Sequence, residues 1–235
     1  MSSATGLRAL AFAAPDGSVW GAALGDERTG LVIGSQQAGA GIPDLRLTED
    51  DGGWRLEGDG VALAARALGT EVAGAALCRV SGAAGEIAVE DCPGVWAGLP
   101  APGADRRGRR GPASARFVGG VFTDVSGLAL LAGRPGDDAH QDADEITAAL
   151  LDAEEWIEVR DPRLSTTYDG TGQPTRANLE LWVGEGDDEF PRRAAGEAAG
   201  PGGAVALADG TLRVVPLRCH SRDAEGAGVY ALATF

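Results

Sequence analysis

Lysine is absent from this chain of 235 residues, and its positive charge comes entirely from 20 arginines. Aspartate and glutamate together number 35, which gives a formal net charge of −15. Proteins that bind nucleic acids or anionic membranes draw much of their affinity from basic surfaces. The charge balance therefore argues against nucleic acid as a partner and against attachment to an anionic membrane.

Long apolar runs are also missing. The run Ala9–Ala14 ends at Pro15-Asp16 and is shorter than the core of a signal peptide. No segment approaches the roughly 20 apolar residues that a membrane-spanning helix requires. These absences predict a cytoplasmic protein without a membrane span.

Cysteine is scarce and unpaired in number. Cys78, Cys92 and Cys219 form no CxxC motif, so neither a zinc ribbon nor a thioredoxin-type site is indicated. We interpret them as small buried hydrophobic residues in a reducing compartment. His220 follows Cys219 directly, but adjacent strand residues point to opposite faces, so this pair is a poor nucleophile and base.

What the chain does contain is a dense series of turn signals, mostly Asp-Gly pairs, between short apolar or alternating runs. Short strands at such close spacing are typical of antiparallel sandwiches and barrels. The sequence predicts an all-β fold of barrel-type sheets, with strands over Val19–Leu24, Leu31–Gly34, Trp54–Glu57, Val61–Ala65, Gly85–Val89, Arg116–Thr123, Leu128–Ala132, Ala177–Val183, Leu212–Leu217 and Val229–Thr234.

One segment has a helical period instead. Asp144–Leu151 begins with two acidic residues and has apolar positions at Ile146, Ala149 and Leu150. This spacing predicts one short amphipathic helix in an otherwise β fold.

Two halves are separated by a stretch without apolar periodicity. Residues 99–114, LPAPGADRRGRRGPAS, indicate a linker between an N-terminal β half (1–98) and a C-terminal β half (115–235). Val19–Ile33 aligns without gaps on Arg116–Leu130, and this match suggests that the halves are structural repeats. Chance similarity between two generic hairpins is the alternative.

Catalytic and cofactor motifs are lacking as well. There is no GxSxG, no HExxH and no phosphate-binding glycine-rich loop. The acidic segment Asp137–Glu145 contains His140 and could in principle hold a divalent metal, but neighbouring residues on one loop rarely converge on an ion. We predict a solvated acidic loop there, with no metal and no cofactor.

The best candidate site is the polar face of one predicted strand. Alternation places Arg176, Asn178, Glu180 and Trp182 on one face, opposite an apolar face formed by Ala177, Leu179, Leu181 and Val183. Beside Tyr168, this face could orient a ligand through a few polar groups. Glu180 would serve as general acid and Tyr168 as donor to a developing oxyanion, with Arg163, Arg176, Asn178, Trp182 and Arg192 binding the ligand. The alternative is an ordinary solvent-facing surface with Arg176 and Glu180 paired.

Two segments carry a family resemblance: RLSTTYDGTGQPTRANLELW (Arg163–Trp182) and GVFTDVSGLALLAGRP (Gly120–Pro135). With two β halves and tryptophan-led hairpins, the chain resembles the tandem lipocalin-like proteins, a group that includes AttH-like proteins, carotenoid hydratases and tocopherol cyclases. The resemblance implies two lipocalin-like or sandwich-like halves and an apolar cavity for a molecule such as an isoprenoid or polyketide.

Two functions follow as hypotheses. The first is a lipocalin-like protein that binds, isomerises or cyclises an apolar small molecule. The second is a non-catalytic β-sandwich module for interaction or scaffolding. An enclosed apolar cavity with inward-facing Tyr, Arg or Glu favours the first, and a core fully filled by side chains favours the second. Whether the chain is an enzyme is left open at this level.

Overall fold

A computed structural model describes residues 6–25, 28–36, 38–50, 53–72, 74–98, 113–123, 126–134, 144–152, 155–183, 191–208, 210–222 and 224–235. Within these ranges the chain forms β-strands and turns, with no helix. The described residues therefore contain no helix that could span a membrane. The all-β prediction is confirmed.

The first sheet is a closed antiparallel barrel, referred to below as the first barrel. Its strands are β1 (Arg8–Ala13), β2 (Trp20–Gly25), β3 (Arg28–Gly34), β4 (Ala40–Asp50), β5 (Gly53–Gly58), β6 (Val61–Val72), β7 (Ala75–Ala84) and β8 (Ile87–Gly98). Each strand pairs with the next, and β1 pairs with β8 from Arg8 opposite Gly98 to Phe12 opposite Gly94. Closure therefore rests on a whole strand pair.

Ten further strands form a second antiparallel sheet, the second barrel. They are β9 (Ser114–Thr123), β10 (Ser126–Arg134), β11 (Glu145–Asp152), β12 (Glu155–Glu158), β13 (Asp161–Tyr168), β14 (Pro174–Trp182), β15 (Arg192–Ala198), β16 (Gly203–Leu207), β17 (Gly210–Ser221) and β18 (Ala224–Thr234). The order is β12-β11-β10-β9-β18-β17-β15-β14-β13, and β16 pairs with β17 beside this path.

The two ends of the second sheet meet at a single step of the chain, between β12 and β13. The backbone N–H of Val159 donates to the carbonyl of Ala148 on β11 at 3.0 Å. The next N–H, from Arg160, donates to the carbonyl of Trp182 on β14 at 2.9 Å. These two bonds extend the β11–β12 and β13–β14 pairs, so the edges of this nearly closed sheet are joined there by the chain itself. We call this step the seam.

Each barrel has its own apolar interior, as expected where strands alternate an inward and an outward face. The first interior contains the stacked rings of Trp54 and Trp96, with centroids 5.0 Å apart. Its other buried members are Leu10, Phe12, Ala23, Leu31, Ile33, Leu45, Leu47, Leu56, Val61, Leu63, Ala65, Ala76, Cys78, Val80, Ala84, Val89 and Cys92. The second interior consists of Val118, Leu128, Leu130, Ala132, Ala148, Leu150, Val159, Ala177, Leu179, Leu181, Ala194, Leu217, Cys219 and Tyr230.

A third apolar cluster joins the barrels to each other. It combines Ala11, Trp20 and Val95 of the first barrel with Phe117 and Val229 of the second, all of them buried. The strand β16 also lies against the first barrel. An added Cβ at Gly41 would sit 2.3 Å from the carbonyl oxygen of Ala204 on β16, so this close approach depends on the absence of a side chain.

The predicted helix over Asp144–Leu151 is wrong. Residues Glu145–Asp152 form β11, which pairs with β10 on one side and β12 on the other. Helical propensity is a weak preference, and two strand partners override it here.

The predicted repeat register is also wrong, by one strand. Val19–Ile33 covers β2 and β3, whereas Arg116–Leu130 covers β9 and β10. In each sheet the first strand pairs with the last, β1 with β8 and β9 with β18. The topological counterpart of β9 is therefore β1, and the two aligned hairpins occupy different places.

Candidate functional site

A cluster of hydroxyl groups interrupts the apolar interior of the second barrel. Tyr230, on β18, is fully buried. Its hydroxyl lies 3.1 Å from the hydroxyl oxygen of Thr166 and 3.4 Å from that of Tyr168. Both partners belong to β13, which is not a neighbour of β18 in the sheet, so the contacts span the barrel. We call these three residues the hydroxyl cluster.

The hydroxyl cluster leads from the interior to the surface. Burial raises the pKa of Tyr230 above its ordinary value, so this phenol keeps its proton at physiological pH. Tyr168, at the other end, is 43% exposed. A phenol can donate one hydrogen bond and accept others. The hydroxyl of Tyr230 can therefore accept a hydrogen bond from one neighbour, Thr166 or Tyr168, while it donates to the other.

A second polar group, the arginine–aspartate cluster, consists of Arg116, Arg134 and Asp144. The Asp144 side chain is only 1% exposed. It accepts a hydrogen bond from Nη2 of Arg116 and two from Arg134, through Nε at 2.9 Å and Nη2 at 3.3 Å. Hydrogen bonding to Asp144 is the main cause that raises the pKa of Arg134. Two guanidiniums against one carboxylate leave one net positive charge.

The two clusters adjoin at one end of the second barrel. Arg116 on β9 lies two residues from Val118, which is paired with Tyr230. Arg116 interacts electrostatically with Tyr230, and Arg134 does so with Tyr168. We call this end, with both clusters, the second-barrel mouth. Behind it the wall is apolar and includes Leu128, Leu130, Leu150, Leu179 and Leu181.

Of the predicted site residues, Tyr168 is at the second-barrel mouth and the others are not. The alternation of β14 is confirmed: Ala177, Leu179 and Leu181 belong to the interior, and Val183 packs against it. The polar face that was predicted to bind a ligand lies on the outside, and it carries Arg176, Asn178, Glu180 and Trp182.

These outer-face residues have partners of their own. Nε of Arg176 donates to Oδ1 of Asn178 at 3.2 Å, and Glu180 forms an ion pair with Arg193 at 3.3 Å. Arg163 on β13 lies over the ring of Trp182, 5.9 Å from its centroid. The predicted Arg176–Glu180 pair is therefore replaced by pairs with other residues.

Two predicted residues need separate mention. The indole nitrogen of Trp182 is buried and has no hydrogen-bond acceptor among the described residues. Arg192 on β15 is half-buried and opposite the interior residue Leu181, so it lies on the inward side of its strand. The roles predicted for Glu180 and the ligand-binding set stay predictions.

The remaining candidates are placed as follows. Cys219 is buried and His220 is exposed on β17, as the alternation of a strand requires. Residues 135–143 of the acidic segment lie outside the described residues. Within the described part, no three His, Cys, Asp or Glu side chains converge as metal ligands would.

Sequence reasoning missed Tyr230, Thr166 and the arginine–aspartate cluster. Arg116 precedes an apolar run on a strand, Arg134 follows another, and Asp144 precedes a third. An arginine at an inward position of an amphipathic strand is the signal that could have indicated them. Which arginines face inward can be recognised only when the order of strands in the sheet is known.

No protein-family model matches the sequence, and no curated protein matches it. Among solved structures, the chain is similar to kievitone hydratase from Nectria haematococca, with a TM-score of 0.52 and 9% sequence identity. The superposition covers 99% of this chain and 89% of the other. At this identity the similarity concerns the fold alone. The chain therefore has an all-β fold of two barrel-like sheets, consistent with two lipocalin-like halves.

Proposed function

We propose that this protein binds a small, largely apolar molecule in the second barrel, with an oxygen-bearing end of the ligand at the hydroxyl cluster. The observation that carries the proposal is the buried Tyr230. Its hydroxyl joins Thr166 and the exposed Tyr168 inside an otherwise apolar interior. Ligand sites are commonly apolar with a few well-placed polar groups.

The difference between the two barrels supports the second as the binding half. The first interior is filled by apolar side chains that include two stacked tryptophans. Two polar groups there are already paired, since the Thr29 hydroxyl donates to the carbonyl of Gly30 and Nε1 of Trp96 donates to Glu71. The second interior contains Tyr230, with Arg116 and Arg134 at its mouth.

Proton transfer is the chemistry that such a site could add to binding. Tyr168 can donate a hydrogen bond to oxygen on the ligand, while Tyr230 supports it from behind. The structural neighbour is named a hydratase, and the proposed site would suit a reaction in which an oxygen gains or loses a proton. Glu180, paired with Arg193 on the outer face, is not needed in this scheme.

The competing function is a non-catalytic interaction module, and the outer face of β13 to β15 favours it. Charged pairs there flank the half-buried Trp182, and tryptophan and arginine are enriched among the residues that dominate protein interfaces. If a protein partner bound this face, substitutions at the second-barrel mouth would not change its affinity. The two functions can therefore be distinguished by whether variants of the mouth or of the outer face lose affinity.

The test is a thermal-shift screen of apolar small molecules that bear a carbonyl or hydroxyl group. We expect ligands that raise the melting temperature of the wild type, because a ligand that binds only the folded state stabilises it. Tyr168→Phe should weaken binding about five- to tenfold through loss of one hydrogen bond. Tyr168 is exposed enough that the variant should fold normally.

Ser165→Ala is the matched control, since this hydroxyl lies on β13 but on its exposed outer face. It should bind like the wild type. If no oxygenated apolar molecule stabilises the protein, or if Tyr168→Phe binds as tightly as Ser165→Ala, the proposed site is wrong.

A further inference from the structure

The guanidiniums of Arg116 and Arg134 have hydrogen-bond donors to spare. Each guanidinium carries five N–H groups in a planar fork. Asp144 receives hydrogen bonds from Nη2 of Arg116 and from Nε and Nη2 of Arg134. Over the described residues, these are the hydrogen bonds that the two guanidiniums make. Among the described residues, Nε and Nη1 of Arg116 and Nη1 of Arg134 have no other acceptor.

The arginine–aspartate cluster has a charge opposite to that of the chain. The protein as a whole has a formal net charge of −15, whereas the arginine–aspartate cluster is net positive. Both arginine side chains are partly shielded from water, at 16% and 28% exposure. Charge interactions at such positions are screened less than those on the open surface.

The position of the cluster relates it to a ligand. Arg116 shares Asp144 with Arg134 and lies on β9 two residues from Val118, which is paired with Tyr230. Tyr230 in turn contacts Tyr168, the exposed member of the hydroxyl cluster. An oxygen group bound at Tyr168 would therefore lie near a guanidinium as well as a phenol. Guanidiniums bind carboxylates through two parallel, charge-assisted hydrogen bonds.

We infer that the ligand of the second barrel is an amphipathic carboxylate, with its apolar body in the barrel and its anionic end bound by Arg116, Arg134 and Tyr168. The inference rests on the proposed function, since it assigns the chemical class of ligand to the same site. Asp144 holds the two guanidiniums in place and reduces their charge, so it limits the affinity for the anion.

A purely structural ion-pair cluster is the competing explanation. In that case Asp144 neutralises the arginines and fixes the end of β10 beside β11, without any ligand. The two explanations predict different effects of Asp144→Asn on the affinity for an anion. A structural cluster loses stability and gains nothing, whereas a ligand site with two freed guanidiniums binds an anion more tightly.

The experiment uses 11-(dansylamino)undecanoic acid and its methyl ester as fluorescent probes. The two have the same apolar chain, and only the acid has a negative charge. At low salt, wild-type protein should bind the acid at least about tenfold more tightly than the ester, as expected for one charge-assisted contact. Arg134→Gln should reduce this preference to below about threefold. Asp144→Asn should strengthen binding of the acid and leave the ester unchanged.

Arg218→Gln is the matched control, because it removes the same charge from an exposed position on β17 of the same barrel. It should keep the preference for the acid. Melting curves of each variant establish that it is folded before titration, and the acid–ester comparison on the wild type needs no variant.

Three other results would contradict the inference, the proposed function or both. Equal binding of acid and ester by the wild type overturns the inference and leaves the proposed function standing. A preference for the acid that survives Arg134→Gln also overturns it. If neither probe binds, both the inference and the proposed apolar-ligand site fail.

Discussion

At the scale of single residues, the three cysteine thiols show how completely the barrel interiors exclude water. Cys78 and Cys92 belong to the first interior and Cys219 to the second, all as free thiols. Burial raises the pKa of Cys92 and of Cys219 from 9.0 to about 12, and that of Cys78 also rises. Thiolate is the reactive form, so these thiols should be inert in the folded protein.

The thiols should also make the protein sensitive to alkali. Below pH 9 they are protonated in both the folded and the unfolded state, so they cause no pH dependence. Above pH 9 the unfolded thiols ionise while the folded ones keep their protons, and the free energy of unfolding falls. Each thiol can contribute a slope of at most about 1.4 kcal/mol per pH unit until its folded pKa is reached.

Urea unfolding at pH 7.5, 9.0 and 10.0 measures this loss, and Ellman's reagent at pH 8 measures native thiol reactivity. We expect no labelling before unfolding and a smaller alkaline slope in Cys219→Ala. Labelling of the native protein at the rate of a free cysteine would contradict the burial of these groups.

The site residues illustrate what a sequence shows of a single position. Tyr168 was predicted because it stands among polar residues close to a turn. Tyr230 was missed because it lies in the apolar run Val229–Thr234, where a tyrosine is typical of a core position. Its partner is 62 residues away along the chain, and only the folded sheet brings the two hydroxyls together.

At the scale of elements, β14 could be predicted from its alternation, whereas β11 could not. β14 alternates clearly, since Ala177, Leu179 and Leu181 face the interior and the other side meets solvent. β11 has no such contrast. Ala148 and Leu150 face the interior, whereas Ala149 between them packs into the cluster that joins the barrels. Its apolar run therefore resembles a helix as much as a strand.

Two adjacent glycines of β9 differ in the same way. A Cβ at Gly119 would meet Val95 at 2.6 Å and Ala11 at 2.8 Å, both across the junction between the barrels. A Cβ at Gly120 would meet Cys219 Sγ at 3.3 Å, on the interior side. Close contact between the two barrels thus depends on the missing side chain at Gly119.

Gly119→Ala should therefore lower the free energy of unfolding by about 1–3 kcal/mol, the usual effect of overpacking. Gly120→Ala, one residue away on the same strand, should change it by less than about 1 kcal/mol. Equilibrium denaturation with urea compares the two. A Gly119→Ala variant as stable as Gly120→Ala would show that the barrels are not in tight contact at β9.

At the scale of the whole molecule, the sequence predicted two antiparallel β assemblies but not how their strands are ordered. Turn chemistry is local, and Asp-Gly pairs indicate where a chain reverses. Sheet order depends on which strands meet after long separations in sequence, such as β9 with β18. The two aligned hairpins share a local sequence pattern, which does not depend on their position in a sheet. The alignment therefore could not show that their positions in the two sheets differ by one strand.

The seam makes the second barrel differ from the first. The first barrel is closed by the whole β1–β8 pair, whereas at the seam the chain passes from β11 to β14 with one backbone hydrogen bond to each, from Val159 and from Arg160. We expect those two amides to exchange with deuterium roughly a hundredfold faster than the amides that join β1 to β8, because local opening costs less free energy. Equal protection, measured by NMR, would contradict this. A wall that yields at the seam would let the second barrel change its width locally while every strand pair in its sheet stays intact.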